Sequence, residues 1–218
     1  MLEDRVLFID AEAIVIDKPA GLAVHPGRAT RESLEDYLHH FRFGFQRLPQ
    51  PVHRLDRDTS GCLLLARNPK AQKRFGQAFE EKRVAKTYLV VVDGVPGERE
   101  GVIDLPLGKV STRQEGWRMV IDDRGKPAVS RWRMVAEREG RAVLLFSPET
   151  GRTHQLRVHA ANGLGLPIAG DPVYGSGRGP MLLHARSLRI ERAGKDAIEA
   201  VAPLPPTFVN AGFGDVEE

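Results

Sequence analysis

The stretch His53-Arg54-Leu55-Asp56-Arg57-Asp58-Thr59-Ser60-Gly61 runs straight into Cys62-Leu63-Leu64-Leu65-Ala66. The first nine residues carry two carboxylates, two guanidinium groups and an imidazole, and the next five are apolar. A charged knot feeding a short apolar run reads as a loop at the mouth of a buried strand. Thr59-Ser60-Gly61 adds hydroxyls and a permissive backbone, which suits a tight turn into that strand. Asp56 stands between Arg54 and Arg57, and cationic neighbours favour an ionised carboxylate. An ionised Asp can act as nucleophile or general base. A salt-bridged surface loop has the same composition, so the residues alone leave both readings open.

Upstream, Val6–Ile9 and Ala13–Ile16 are short β-type runs around Asp10-Ala11-Glu12, a pattern of paired strands. Asp17 to Gly27 is a loop punctuated by Pro and Gly, containing Lys18 and His25. Thr30 is placed to cap an amphipathic helix over 31–41, with Leu34, Tyr37, Leu38 and Phe41 at helical spacing. Downstream, Asn68-Pro69 opens a second helix with Ala71, Phe75, Ala78 and Phe79 as its buried stripe. From Arg67 to Lys86 seven cations, Lys73 and Arg74 among them, face two carboxylates, a net +5 that exceeds the +3 of the whole chain. This segment is either a solvated helix face or a phosphate-tracking patch.

Thr87–Val92 reads as a strand that Tyr88 begins, and 93–109 as mostly loop. Trp117–Ile121 and Ala128–Glu137 read as strands, the second turning at Glu139-Gly140 into Arg141–Phe146, to give an antiparallel meander. Thr153 can cap a helix carrying His154, Arg157 and His159. His154 and His159 are five apart and do not share a helical face, which argues against a metal site. Leu182–Leu188 reads as a last strand, 203–208 as a terminal wrap, and 215–218 as a frayed end.

At 218 residues the chain can bury a core without staples. Its 41% hydrophobic and 28% charged content is that of a soluble globular protein. A pI near 9.2 is compatible with a polyanionic partner. The single Cys62 excludes an internal disulfide framework and fits a reducing cytosol. No apolar run reaches transmembrane length, and the N-terminus lacks a signal-peptide pattern.

The string His53-Arg54-Leu55-Asp56-x-x-Thr59-Ser60-Gly61 resembles the signature motif of the RluA-type family of RNA pseudouridine synthases. Asp17–Gly27, Leu105–Gly108, Gly151–His159, Gly170-Asp171-x-x-Tyr174-Gly175 and Leu182–Leu188 are similar to further motifs of that family, and the resemblance extends from about Ile14 to Phe208. It implies an α+β fold: a mixed, mainly antiparallel central sheet with flanking helices and a central RNA-binding cleft. One catalytic domain over 1–218, without an added N-terminal RNA-binding domain, is the expected organisation. The implied reaction converts a uridine of ribosomal or transfer RNA to pseudouridine, with the base flipped from its stack. The resemblance assigns catalysis to Asp56, base stacking to Tyr88 and pairing with Asp56 to Arg157. Arg54 is expected to fill the gap left by the flipped nucleotide. Lys18, His25, Lys73, Arg74 and Lys86 are candidates for RNA contact, and Arg152 and His154 hold either the local fold or the RNA backbone. No cofactor or metal is implied, and a cytoplasmic monomer is expected. Two rival readings are a non-catalytic RNA-binding protein of the same fold and a hydrolase using Asp56 with Asp58.

Overall fold

A computed structural model of the chain describes residues 2–27, 30–112 and 116–216. In chain order the strands are β1 (Val6–Ile9), β2 (Ala13–Lys18), β3 (Gln50–Pro51), β4 (Ser60–Ala66), β5 (Val84–Val92), β6 (Glu100–Asp104), β7 (Leu107–Thr112), β8 (Gly116–Ile121), β9 (Val129–Arg138), β10 (Arg141–Pro148), β11 (Leu183–Arg192) and β12 (Lys195–Val201). The α-helices are α1 (Pro69–Glu80), α2 (Gln155–Val158) and α3 (Pro206–Asn210). The chain sorts into two compact units, one of Met1–Lys86 with His184–Pro203, the other of Thr87–Leu183 with Leu204–Glu218.

In the first unit the strands lie in the order β1-β2-β4-β11, with β12 beside β11 and β3 beside β4. β4 is buried along its whole length, so the apolar run after Gly61 is the central strand that its composition suggests. Its Cys62, Leu64 and Ala66 share a cluster with Ala71, Phe75 and Ala78 of α1 and with Leu188, Ile190, Ile198 and Ala200. The cap of α1 is as expected: Asn68 Oδ1 accepts from Ala71 N–H at 2.9 Å, and Pro69 takes the first helical position. The helix closes with Lys82 in the left-handed region (φ 57°) and Arg83 N–H on Ala78 O at 2.8 Å.

The helix expected over 31–41 from a Thr30 cap is instead a 3-10 helix over Leu34–Phe41 with Ser33 at its N-cap. Leu34 N–H donates to Ala23 O at 2.8 Å, and the Ala23–Ser33 bridge holds Ser33 itself in the extended region. The Asp36 carboxylate then accepts from Ser33 N–H at 2.8 Å, a capping box that Ser33-x-x-Asp36 spells.

In the second unit the order is β5-β10-β9-β6, all antiparallel, with β7 and β8 as a separate two-stranded hairpin. The β9–β10 turn is where the sequence puts it, and Glu139 and Gly140 both have positive φ (50° and 73°), as tight hairpins require. Three expectations change. Residues 93–109 hold β6 and much of β7 rather than loop alone, because β6 pairs with β9 and β7 with β8. The strand at Trp117–Ile121 therefore leaves the meander. The terminal wrap ends in α3, and Asp215 pairs with Arg138 at 2.8 Å instead of fraying; Glu217 and Glu218 lie outside the described residues. β12 is an additional strand that the sequence reading missed. The α+β class and the mainly antiparallel pairing hold, while β4 and β11 run parallel.

Candidate active site

Asp56 opens a β-turn. Thr59 N–H donates to Asp56 O at 3.2 Å, with Arg57 and Asp58 at the centre of the turn. Three attachments fix this turn. Upstream of it, His53 Nε2 accepts from Leu64 N–H at 3.1 Å, and its ring stacks on Phe79 at 4.6 Å. Burial, aided by the charge of Lys86, pulls the His53 pKa down to about 3, so the ring is a neutral acceptor and not an acid–base group at pH 7.

At its crown, Arg57 O accepts from Gly21 N–H at 2.9 Å and from Lys18 Nζ at 3.1 Å. Lys18 Nζ also donates to Pro19 O at 2.8 Å and Leu22 O at 2.7 Å. Lys18 is 0% exposed. Burial draws its pKa down to about 7, against the attraction of Asp58, Asp56 and Asp17. The expected phosphate contact of Lys18 therefore gives way to another role: a buried ammonium that ties the 18–22 loop to the Asp56 turn.

Beyond the turn, β4 enters against β11 in the register Ser60 with His184 and Gly61 with Ala185. Ser60 Oγ and His184 Nδ1 lie 2.8 Å apart, buried. Gly61 has φ +104°, and a Cβ there would fall 2.1 Å from Ala185 O, so only glycine fits. Within the turn Asp58 is engaged by Arg57 at 3.0 and 3.2 Å. Asp56 is half-buried and Arg54 exposed.

In the second unit Tyr88 sits opposite Phe146 and packs, partly buried, against the cluster of Val90, Val92, Leu144 and Leu156. Arg157 is buried on α2 and forms a bidentate pair with Asp171: Nε to Oδ2 and Nη2 to Oδ1, both 2.8 Å. Asp171 Oδ1 accepts further from Val173 and Tyr174 N–H. Burial opposes the Asp171 charge, yet the hydrogen bonds and charge of Arg157 and the two amides hold its pKa below the usual value. Asp171 is thus the partner that the sequence reading missed. The Gly-Asp-x-x-Tyr-Gly string was visible, but nothing in its spacing ties it to Arg157, fourteen residues earlier.

Arg152 Nε donates to Pro127 O at 3.0 Å. His154 has a left-handed backbone (φ 53°), its Nδ1 is 2.9 Å from Tyr174 Oη, and its ring stacks on Trp117. Thr153 does not cap α2: His154 stands at the N-cap, and Gln155, whose Oε1 takes both Arg152 N–H and Thr150 Oγ1–H, starts the helix one residue later than expected. His159 is held between Ser130 Oγ and Leu105 O, both at 3.0 Å. Among the described residues no group of three or more His, Cys, Asp or Glu side chains could hold a metal ion.

The remaining basic candidates divide. Lys73 is exposed. Arg74 pairs with Glu12 at 2.5 Å, so it is tied down rather than free to track phosphates. Lys86 is partly buried near the Phe79 ring, with its pKa lowered by burial. His25 is exposed and paired with Glu35 at 2.6 Å.

Comparison with known proteins places the chain. Residues 12–162 match the family model described as RNA pseudouridylate synthase. The chain is 58% identical over 217 residues to an uncharacterized RNA pseudouridine synthase of Zymomonas mobilis, covering 98% of this chain and 99% of that one. It is 40% identical over 174 residues to a ribosomal large subunit pseudouridine synthase D of Nitrosomonas europaea, covering 78% of this chain but only 49% of that protein. The solved structure of human RNA pseudouridylate synthase domain containing 4 superposes with a TM-score of 0.82 at 26% identity, covering 100% of this chain and 95% of that one. The chain belongs to the RluA-type family of RNA pseudouridine synthases, and so to the isomerases.

Proposed function

We propose that the protein isomerises uridine to pseudouridine in large-subunit ribosomal RNA, with Asp56 as the catalytic residue. The observation that carries this is the Asp56 turn: a carboxylate of the family signature, on a backbone fixed by Lys18, His53 and the β4–β11 pairing. Its neighbour Asp58 is engaged by Arg57 and stands at a position that the family signature leaves free, whereas the signature fixes the Asp at 56. The choice of ribosomal RNA rests on relatives named for the large ribosomal subunit.

In the reaction the N1–C1′ bond breaks, the uracil turns, and C5 bonds to C1′. C5 gives up its proton and N1 gains one. Asp56 either attacks the nucleotide or removes a proton from the sugar. Arg157, held in place by Asp171, is the motif arginine that the resemblance assigns to the reaction. Tyr88 stacks on the flipped base and assists loss of the C5 proton, while Arg54 occupies the gap in the RNA. The active form is a cytoplasmic monomer.

The test is release of tritium from C5-labelled uridine in transcribed ribosomal RNA, since only C5 bond formation expels it. Asp56→Asn should abolish release with folding and RNA affinity nearly intact. Asp58→Asn should retain measurable release. Wild-type-like release by Asp56→Asn ends the assignment.

A further inference from the structure

Arg67 leaves β4 at the end opposite the Asp56 turn. The six steps from Ser60 to Ala66, at about 3.3 Å each, separate the two ends by roughly 20 Å. Arg67 is 6% exposed. Nη1 donates to Asp10 O at 2.6 Å, and Nη2 to Arg42 O at 3.0 Å and Phe43 O at 3.1 Å. The guanidinium is therefore fixed, and its Cζ lies 3.7 Å from the centroid of the Phe45 ring. Phe45 rests one face on an immobile cation and is itself 38% exposed. A cavity of about 400 Å³ opens beside Arg67, walled in part by Arg47, Leu48, Pro69 and Gln72. Two polar atoms of its lining residues, Arg67 Nε and Gln72 Oε1, are buried without a hydrogen-bond partner among the described residues. Orphans of that kind are uncommon and cost stability.

The carboxylates behind Arg67, Asp10 and Glu12, are held in ion pairs with Arg192 and Arg74, and the segments that line the cavity carry charge of one sign. Residues 42–50 and 66–79 contain Arg42, Arg47, Arg67, Lys70, Lys73 and Arg74 and no carboxylate. Arg42, Arg47, Lys70 and Lys73 are exposed. An aromatic face backed by a cation, a slot beside it and a rim of exposed cations together match the chemistry of a single-stranded polyanion with flat bases.

We infer that Phe45 and Arg67 form a stacking platform for an unpaired nucleotide of RNA, distinct from the Asp56 site. Its phosphates lie along Arg47 and Lys70. The inference rests on the reading that the protein acts on RNA, and assigns it a second hold on a strand far from the target uridine.

The test uses the full chain and a fluorescein-labelled twelve-nucleotide oligouridylate, with affinity read by anisotropy across a salt series. Phe45→Ala should weaken binding about 5- to 150-fold, the range for losing one stacked base, with the salt slope unchanged. Phe45→Trp should keep wild-type affinity. Arg47→Gln should lower the salt slope by about one. Thermal melts confirm that each variant is folded. Less than about fivefold weakening in Phe45→Ala overturns the inference, as does equal loss in Phe45→Ala and Phe45→Trp. A Phe45-dependent affinity for polyglutamate in place of the oligouridylate also overturns it. Oligouridylate binding does not need the Asp56 carboxylate, so tritium release by Asp56→Asn would defeat the catalytic assignment and leave this result standing.

Discussion

Two imidazoles and one ammonium carry much of the weight around the Asp56 turn. Burial draws the pKa of His53 down to about 3 and that of His184 down to about 4. In the unfolded chain both titrate near 6.5. Below that pH the unfolded state binds protons that the folded state refuses. The stability contributed by the neutral rings is therefore fully present above pH 6.5 and is lost as the pH falls toward 4 and then 3. Each ring adds a slope of at most about 1.4 kcal/mol per pH unit in that window. Urea unfolding at pH 7.5, 6 and 5 should show the decline, and His53→Gln should make it shallower. Lys18→Met leaves the carbonyls of Pro19, Leu22 and Arg57 without their donor. One buried unsatisfied group costs roughly 1–3 kcal/mol, so the melting temperature should drop by several degrees. The Asp56 turn would loosen with it, and a tritium-release rate that fell no further than expression did would contradict the anchoring role.

At the level of strands and turns, glycines in the left-handed region are not equivalent. Gly61 would place a Cβ 2.1 Å from Ala185 O, whereas Gly140 has nothing within 4 Å. Gly140→Ala should therefore cost only the backbone strain, about 1 kcal/mol. Gly61→Ala forces the parallel β4–β11 pair apart as well, and should yield insoluble or unfolded protein. Comparable melting temperatures for the two variants would refute this. In the same β9–β10 turn, Glu139 adopts φ 50°, a conformation that asparagine tolerates better. Glu139→Asn should stabilise the protein by about 0.5–1 kcal/mol, visible as a rise of a few degrees in the thermal melt.

Charge at the scale of the molecule is distributed differently from charge along the chain. The +5 of residues 67–86 suggests one continuous basic face. In the folded protein Arg67 is buried on three carbonyls, Arg74 is paired with Glu12, and Arg83 with Glu81. Lys70 and Lys73 remain as exposed cations on α1. Replacing both with Glu should lower the salt slope of RNA binding by at least two. Arg74→Glu should instead set two carboxylates together and lower the melting temperature. A larger change in salt slope from Arg74→Glu than from the Lys70/Lys73 pair would return Arg74 to the RNA path.

The sequence by itself determined the parts that depend on local pattern. The apolar run after Gly61 could only be a buried strand, Asn68-Pro69 could only open a helix, and Glu139-Gly140 supplied a hairpin turn. The signature around Asp56 identified the family for the same reason, since it is a contiguous string. Tertiary structure decided what those residues are bonded to. Nothing within a few residues of Lys18 says that its ammonium is buried against Arg57 O, thirty-nine residues away. The partner of Arg157 is Asp171, and the cap of α2 is lost because Gln155 is claimed by Thr150 and Arg152. Thr30 lost its helix to Ser33 because the bridge to Ala23 holds Ser33 extended, so the helix can begin only after it. In each case a buried polar group must find a partner wherever the fold brings one, and that search crosses distances along the chain that no local pattern records.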